Sequence, residues 1–308
     1  MKYLYGPVPS RRLGMSLGID PFETKTCTHN CIYCQLGSGK TVSSEQSLPG
    51  VPLENIEREL IAFFADGGDT DYITFSGSGE PTLWNHIEKL IQFIKTNFAD
   101  KKLAVITNGT TLWRDEIRKA IMPIDLIVPT IAAADEDTYQ RLHRPNPSAD
   151  FSRHIEGTQK FAQEFDGEIW AEVLLVAGVN DSTEHLAELA KIIYKTNPDY
   201  IDLNPPVRPP AERWVHPPDE AVIRRAYAIL GPKCRIVGQF VPPSAHALEV
   251  ANLATRILGI LIRRPETAES IADSLGIVQQ QVTEALDALV AKKLAIQADG
   301  GYFEIPQK

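Results

Sequence analysis

The run Cys27-Thr-His-Asn-Cys31-Ile-Tyr-Cys34 places three thiols within eight residues. A structural zinc site closes its tetrahedron with four protein ligands, and a 4Fe-4S cluster is normally held by four thiolates. Three thiolates on one loop therefore leave one iron of such a cluster without a protein ligand. The spacing predicts a 4Fe-4S cluster that is held by Cys27, Cys31 and Cys34 and keeps one exchangeable position.

The cysteine count limits the alternatives. The chain has four cysteines, and the remaining one, Cys234, lies far downstream, so a second cluster is not expected. Zinc remains an alternative, with His29 or Cys234 as the fourth ligand. Disulfides are not expected, because clustered thiols in a chain without a signal peptide indicate a reduced, cytoplasmic protein.

Composition indicates a globular enzyme of two unequal domains. The chain has 308 residues, of which 43% are hydrophobic and 23% charged, as in ordinary folded proteins. No apolar run approaches the ~20 residues that span a bilayer, so no membrane association is expected. The 31 basic and 40 acidic side chains give a net charge of −9. This charge argues against non-specific affinity for nucleic acid but leaves room for a local basic site.

Short apolar runs alternate with stretches of helical periodicity. The predicted strands cover residues 16–20, 72–75, 103–106, 125–130, 170–176 and 200–203. This alternation favours an α/β fold with a parallel sheet, and right-handed crossovers would curl the sheet into an open barrel. In such folds the loops after the carboxyl ends of the strands carry the chemistry. The cysteine run follows the first predicted strand and therefore belongs at that edge.

The cysteine run, with Tyr33 before its last cysteine, resembles the signature of the radical S-adenosylmethionine (SAM) superfamily. Four further stretches, at residues 6–14 (GPVPSRRLG), 77–82 (GSGEPT), 107–109 (TNG) and 139–145 (YQRLHRP), are similar to a branch grouped with the wyosine tRNA-base synthases. The resemblance spans residues 1–245. Wyosine synthases carry three further cysteines for an auxiliary cluster, and this chain lacks them, so its reaction is not predicted.

The resemblance implies a partial (β/α)6 barrel, a 4Fe-4S cluster, SAM, and an electron donor such as flavodoxin or ferredoxin. SAM would chelate the open iron through its amino and carboxylate groups. Its reductive cleavage would yield methionine and a 5′-deoxyadenosyl radical that takes a hydrogen atom from the substrate, while the protein supplies binding and orientation. Modification of tRNA bases, modification of peptides or proteins, and small-metabolite chemistry are all open.

Candidate site residues are assigned from the resemblance and from their places after strands. The predicted cofactor-binding residues are Tyr33, Gly77, Gly79, Glu80, Asn108, Arg144 and Asn180. Glycines let the backbone approach a ligand closely, and the resemblance makes the segment of Gly77, Gly79 and Glu80 the edge that hydrogen-bonds the SAM amino group. The predicted substrate-binding residues are Arg208, which could grip an anionic substrate such as tRNA, and Trp214, which could stack on a planar ligand. The alternatives are a solvated surface arginine for Arg208 and a surface tryptophan packed against the barrel for Trp214, and no catalytic residue is identified.

Residues 246–308 are predicted to form a winged helix, because three helical stretches precede a short hairpin. The third stretch has no lysine or arginine between Gln279 and Val290. Sequence-specific DNA binding is therefore not expected, since contacts with phosphates supply most of its affinity. Docking of a protein partner or dimerisation is predicted instead. The alternative function for the whole chain is a zinc-dependent regulator that binds nucleic acid through this domain.

Overall fold

A computed structural model describes residues 1–10, 12–237, 253–262 and 264–306. Its main sheet has eight strands, and their order across the sheet is their order along the chain. The strands are β1 (Leu4–Ser10), β2 (Gly14–Ile19), β3 (Tyr72–Phe75), β4 (Lys102–Thr107), β5 (Leu126–Pro129), β6 (Glu168–Leu174), β7 (Tyr200–Asn204) and β8 (Cys234–Ile236). Strand β1 is antiparallel to β2, and β2 to β8 are parallel. The predicted α/β class with a mostly parallel sheet is confirmed.

Seven helices connect the parallel strands. They are α1 (Leu53–Ala65), α2 (Ile87–Asn97), α3 (Asp115–Ile121), α4 (Glu136–His143), α5 (Phe151–Glu164), α6 (Thr183–Tyr194) and α7 (Glu220–Leu230). Each of β2 to β7 is followed by at least one helix before the next strand, which gives six β/α units. The helices bury their apolar faces against the sheet, as Ile56 and Leu60 of α1 and Ile91 and Ile94 of α2 show.

The prediction of six strands was two strands short. Strand β1 contains Pro7 and Pro9, which lack the N–H that a central strand needs and therefore hide a strand from pattern analysis. Because β1 is an edge strand that pairs only with β2, it tolerates both prolines. Strand β8 has three residues, too few to show a period.

The sheet is open at its edges but strongly curved. Among the described residues no pairing joins β1 to β8. Arg12, in the turn between β1 and β2, nevertheless donates hydrogen bonds to Glu172 on β6 at 2.6 Å and to Asp202 on β7 at 3.4 Å. The sheet must curl for its first turn to reach β6 and β7. The carboxyl ends of the parallel strands therefore surround one lumen.

Residues 253–306 form a C-terminal unit with its own apolar core. Its elements are α8 (Leu253–Leu261), β9 (Glu266–Thr267), α9 (Ala268–Leu275), α10 (Gln279–Ala291), β10 (Ile296–Gln297) and β11 (Tyr302–Glu304). Helices α8 and α9 contact β1, and Val8 packs against the core of the unit. The predicted domain boundary at 245/246 and Arg11 of the 6–14 motif lie outside the described residues. In the part of the chain that the structure describes, no helix has the length and apolar character needed to cross a membrane.

Candidate active site

One cavity of about 600 Å³ opens at the carboxyl edge of the sheet and is bounded by both the barrel and the C-terminal unit. Eight of the predicted site residues line it: Cys27, Cys31, Cys34, Tyr33, Gly77, Gly79, Asn108 and Arg208. Four others, Glu80, Arg144, Asn180 and Trp214, are not part of its lining. The structure thus brings the three cysteines together with the segments that follow β3, β4 and β7.

The cysteine loop is fixed on one side by the segment after β3. Thr26 donates its backbone N–H to the Ser78 carbonyl at 2.8 Å, and Glu80 donates its own to the Thr26 carbonyl at 2.9 Å. A Cβ atom at Gly79 would lie 1.8 Å from the Thr26 carbonyl oxygen. Only glycine therefore allows this approach of the two backbones.

The other side of the loop is fixed by the end of α4. Asn30 donates its backbone N–H to the His143 carbonyl at 2.9 Å, and Ile32 donates to the Leu142 carbonyl at 3.0 Å. Arg144 ends the helix in the left-handed conformation, with φ of 45°. The cysteines thus lie on a loop that is held between the segments after β3 and β5.

The sulfur atoms of two cysteines have polar neighbours. Asn108 donates its side-chain amide to Cys27 Sγ at 3.3 Å and to Thr28 Oγ1 at 2.8 Å, and His143 Nδ1 lies 3.5 Å from Cys31 Sγ. Burial, together with the nearby Glu80 carboxylate, raises the pKa of Cys27 to about 12, and burial raises the pKa of Cys31 well above its ordinary value. Such thiols ionise only when a bound cation compensates the charge. Three free thiols in one cavity, two of them with polar neighbours at their sulfurs, fit an iron–sulfur cluster.

Glu80 has a different environment from the one that the resemblance implies. It is buried, and its carboxylate accepts hydrogen bonds from the backbone and hydroxyl of Thr82, from Thr107 Oγ1 and, at 2.6 Å, from the backbone N–H of Asn108. These contacts join the end of β4 to the segment after β3. Glu80 therefore positions Asn108, and a direct contact with SAM stays a prediction.

The structure does not bring Asn180 to the cavity. Its side chain is fully buried, and both amide hydrogens are used in 2.8 Å hydrogen bonds to the carbonyls of Ala132 and Leu174. Its Oδ1 accepts from the backbone N–H of Val176. Asn180 thus closes the loop after β6, and this position does not support the predicted contact with the cofactor.

Arg144 and Trp214 also lie away from the cavity. The Arg144 guanidinium forms an ion pair with Glu212, because the left-handed residue at the helix end directs the chain toward the segment after β7. Trp214 is 54% exposed. Sequence shows which strand a residue follows but not the direction in which its side chain points. It therefore could not show that Arg208 lines the cavity and that Arg144 and Trp214 do not.

Opposite charges balance in the cavity. Among the described residues, four lining side chains are basic (Arg12, Lys25, Arg208 and Arg264) and four are acidic (Glu172, Glu266, Glu269 and Asp273), so their formal sum is zero. Arg208 and Arg264 both donate to Glu266, at 2.9 and 2.6 Å. Although burial acts to raise the pKa of Glu266, the two arginines hold it below its ordinary value. This pairing places one predicted substrate residue in an ion pair with the C-terminal unit.

Three buried histidines form a cluster at the cysteine loop, and the sequence predicted only one of them, His29, as a possible ligand, in the zinc alternative. This histidine cluster consists of His29, His143 and His154, and Tyr139 lies between its members, with its hydroxyl 2.7 Å from His29 Nε2 and its ring stacked on His154. Burial lowers the pKa of His143 to about 3 and that of His154 to about 4. Both imidazoles are therefore neutral at physiological pH.

The zinc alternative needs a fourth ligand beside the three cysteines, and the predicted candidates were His29 and Cys234. His29, Cys31 and His143 do offer donor atoms within 4.8 Å of one another. The two imidazole rings are stacked, however, with an angle of 22° between their planes. Lone pairs of ring nitrogens lie in the ring plane, so stacked rings cannot direct them at one ion. Cys234 is buried on β8 in a separate apolar core and does not line the cavity.

Comparison with known proteins agrees with this geometry. A UPF0026 protein of Helicobacter pylori (strain J99) is 30% identical over 86% of this chain and 85% of its own length. A protein of Brachyspira hyodysenteriae named GTPase Obg is 36% identical over 94% of this chain, which spans 42% of that relative. A solved structure of a radical SAM methyltransferase from Sphaerobacter thermophilus shares the fold, with a TM-score of 0.56 and 17% identity over 72% of this chain and 66% of that one.

These relatives do not show that the chain belongs to the wyosine branch, which its sequence motifs resemble. Its membership of the wider superfamily is shown by a family model. A family model described as the radical SAM superfamily matches residues 24–190, more than half of the chain. This match covers the cysteine loop and the strand ends that hold it. The chain therefore belongs to the radical SAM superfamily, whose members use a 4Fe-4S cluster and SAM.

Proposed function

We propose that this chain is a radical SAM enzyme with a single 4Fe-4S cluster, and that SAM and the substrate bind in the cavity beside it. The observation that carries the proposal is that Cys27, Cys31 and Cys34 line one cavity at the carboxyl edge of a curved parallel sheet. When bound, the cluster and SAM supply one-electron cleavage of the sulfonium C–S bond and hydrogen-atom abstraction from a substrate. Reduction of the cluster needs an electron donor, for which flavodoxin or ferredoxin stays the prediction.

The residues of the chain hold and orient these groups. Asn108 donates to Cys27 and is itself held by Glu80 through its backbone N–H. Gly77 and Gly79 present backbone to the cavity, and a Cβ atom at either position would clash with Asp20 or with the Thr26 backbone. We propose that this wall is the SAM-binding edge.

The balanced charge of the cavity bears on the substrate. We propose that the reacting part of the substrate carries little net charge and fits between the barrel and the C-terminal unit. A polyanion such as tRNA would need an excess of cationic groups, whereas the four basic lining residues face four acidic ones. Modification of a tRNA base stays a prediction that the described cavity residues do not support.

The C-terminal unit forms part of the cavity wall. Its elements follow in the order helix, strand, two helices and two strands, and we propose that the unit is the predicted winged helix. Glu266 pairs with Arg208 of the barrel, and Tyr302 donates its hydroxyl to the Val207 carbonyl at 2.9 Å. The unit is therefore proposed to close the cavity over the substrate, and docking of a further partner stays a prediction.

Replacing Glu80 by alanine is expected to weaken SAM binding about tenfold or more without loss of iron. The change leaves buried donors unpaired, at about 1–3 kcal/mol, and frees Asn108 to move. Titration calorimetry with SAM measures the affinity, and an iron assay checks the cluster. Glu212→Ala, which removes the partner of Arg144 outside the cavity, is the matched control. Unchanged SAM affinity in Glu80→Ala would make this segment an ordinary turn.

Replacing Glu266 by alanine is expected to loosen the C-terminal unit, because it leaves Arg208 and Arg264 without their shared carboxylate. Loss of one member of a buried ion pair costs about 3–5 kcal/mol. Limited proteolysis of full-length Glu266→Ala should release the barrel several-fold faster than limited proteolysis of the wild type. Glu269→Ala changes an exposed carboxylate in the adjoining helix α9 and should have no such effect. Equal cleavage rates for the two variants would show that this pairing does not hold the unit.

Electron paramagnetic resonance (EPR) of the reduced protein tests the proposed function. Protein that is reconstituted anaerobically with iron and sulfide should be brown and show a 4Fe-4S spectrum, and SAM should change that spectrum because it occupies the open iron. A colourless zinc protein, or a cluster spectrum that does not respond to saturating SAM, would reject the proposal.

A further inference from the structure

His143 places a ring nitrogen next to a cysteine of the cluster loop. Its Nδ1 lies 3.5 Å from Cys31 Sγ and 3.1 Å from the Tyr33 hydroxyl. Its Nε2 is buried and has no hydrogen-bond partner among the described residues. The whole side chain is 1% exposed. The two nitrogens therefore differ sharply: Nδ1 lies near a sulfur and a hydroxyl oxygen, and Nε2 has no partner among the described residues.

This difference selects the tautomer. A neutral imidazole carries one N–H. On Nε2 that N–H would be a buried donor without an acceptor, which native structures rarely contain and which costs about 1–3 kcal/mol. On Nδ1 the same N–H faces the Cys31 sulfur and the Tyr33 oxygen. A metal-bound thiolate has no hydrogen of its own, so the hydrogen between Cys31 and His143 must come from the imidazole.

The surroundings fix the orientation of this ring. His29 stacks on it with centroids 4.8 Å apart, and the Tyr33 ring meets it edge-on at 5.9 Å. The backbone of His143 is also held to the cysteine loop, because Asn30 donates its N–H to the His143 carbonyl at 2.9 Å. Ring and loop therefore move together, and the Nδ1–Sγ contact does not depend on a mobile side chain.

We propose that His143 is a positioning residue that donates its Nδ1–H to Cys31 Sγ and thereby raises the reduction potential of the cluster. Hydrogen bonds to the sulfurs are among the factors that set the potentials of iron–sulfur clusters. A donor stabilises the reduced state more than the oxidised state, because the sulfurs carry more negative charge after reduction. The inference rests on the proposed function, since it needs the cluster to be bound at these cysteines.

The test is an EPR-monitored redox titration of the anaerobically reconstituted full chain. His143→Phe keeps a ring but removes the donor, and its potential should fall by about 59 mV, which is a tenfold change in a one-electron equilibrium. His143→Asn keeps an N–H near the position of Nδ1 and should restore most of the difference. His154→Phe is the matched control: it changes another buried ring of the histidine cluster, one that stacks on Tyr139, and should keep the wild-type potential.

A second readout covers the case in which His143→Phe does not assemble a cluster. With histidine labelled with ¹⁵N in the ring only, pulsed EPR of the wild type should show a coupled imidazole nitrogen that is absent from His143→Asn. A missing coupling, or equal potentials in wild type and His143→Phe with equal iron contents, overturns the inference and leaves the proposed function standing. A wild-type protein that forms no cluster overturns both.

Discussion

Replacement of Cys31 by alanine is expected to abolish the iron–sulfur cluster, and Cys27→Ala and Cys34→Ala should do the same. Each change leaves two thiolates in the cavity that the three cysteines line, whereas a 4Fe-4S cluster is normally held by four. Iron and sulfide assays after anaerobic reconstitution should give about four of each per wild-type chain and close to none in the variants. The three single variants should be indistinguishable.

Cys234→Ala is the matched control for these changes. Cys234 is buried on β8 in a separate apolar core and does not line the cavity, so it is a structural side chain rather than a metal ligand. The variant should lose a little packing and keep its full iron content. Loss of the cluster in Cys234→Ala alone would contradict the assignment of three ligands and reopen the question of a fourth cysteine ligand.

Replacement of Arg12 by alanine is expected to lower the free energy of unfolding by about 3–5 kcal/mol, because it leaves the buried Glu172 carboxylate without its cation, while Asp202 keeps an ion pair with Arg235. Arg12 pairs with Glu172 at 2.6 Å and with Asp202 at 3.4 Å, and Asp202 is fully buried. This pairing also joins the first turn of the sheet to β6 and β7. Urea unfolding of the cluster-free protein, followed by circular dichroism, measures the change.

Arg144→Ala provides the comparison for Arg12. Its ion pair with Glu212 lies near the surface, where such pairs contribute about 0–1 kcal/mol. The unfolding midpoint should therefore hardly move. Similar losses of stability in the two variants would show that the ion pairs of Arg12 with Glu172 and Asp202 do not hold the curved sheet together.

Strand positions were predictable wherever apolar residues are continuous, as in β3 and β5, which are buried at every residue. Parallel strands that helices cover on one side read as apolar runs, so the sequence pattern and the burial agree. The edges of the sheet follow other rules. Strand β1 shows no apolar alternation because it contains proline, and β8 is too short to show one. Both strands become apparent only from their pairing, β1 with β2 and β8 with β7.

The candidate site was predictable where function depends on residue type at short spacing. The cysteines meet that condition because they share one loop, and the glycines at 77 and 79 do so because their backbone faces the cavity. The surroundings of Glu80 and Asn180 could not be predicted in this way. Both side chains form hydrogen bonds with other parts of the fold, and such contacts are not visible in the sequence.

The histidine cluster depends on contacts between distant segments. His29 lies between two of the cysteines, and His143 lies in the 139–145 motif, but their spacing along the chain does not show that their rings stack. The backbone hydrogen bonds between residues 30–32 and 142–143 bring them together. A contact of this kind exists only in the folded chain, where the helix after β5 packs against the cysteine loop.

The most direct test of the account is the fate of SAM. Anaerobically reconstituted wild-type protein, given a strong reductant and SAM, should produce 5′-deoxyadenosine and methionine in equal amounts, as measured by liquid chromatography and mass spectrometry. Cys31→Ala, which has no cluster, should produce neither. Wild-type protein that carries a full complement of iron and sulfide, is reduced, and leaves SAM intact would contradict the account.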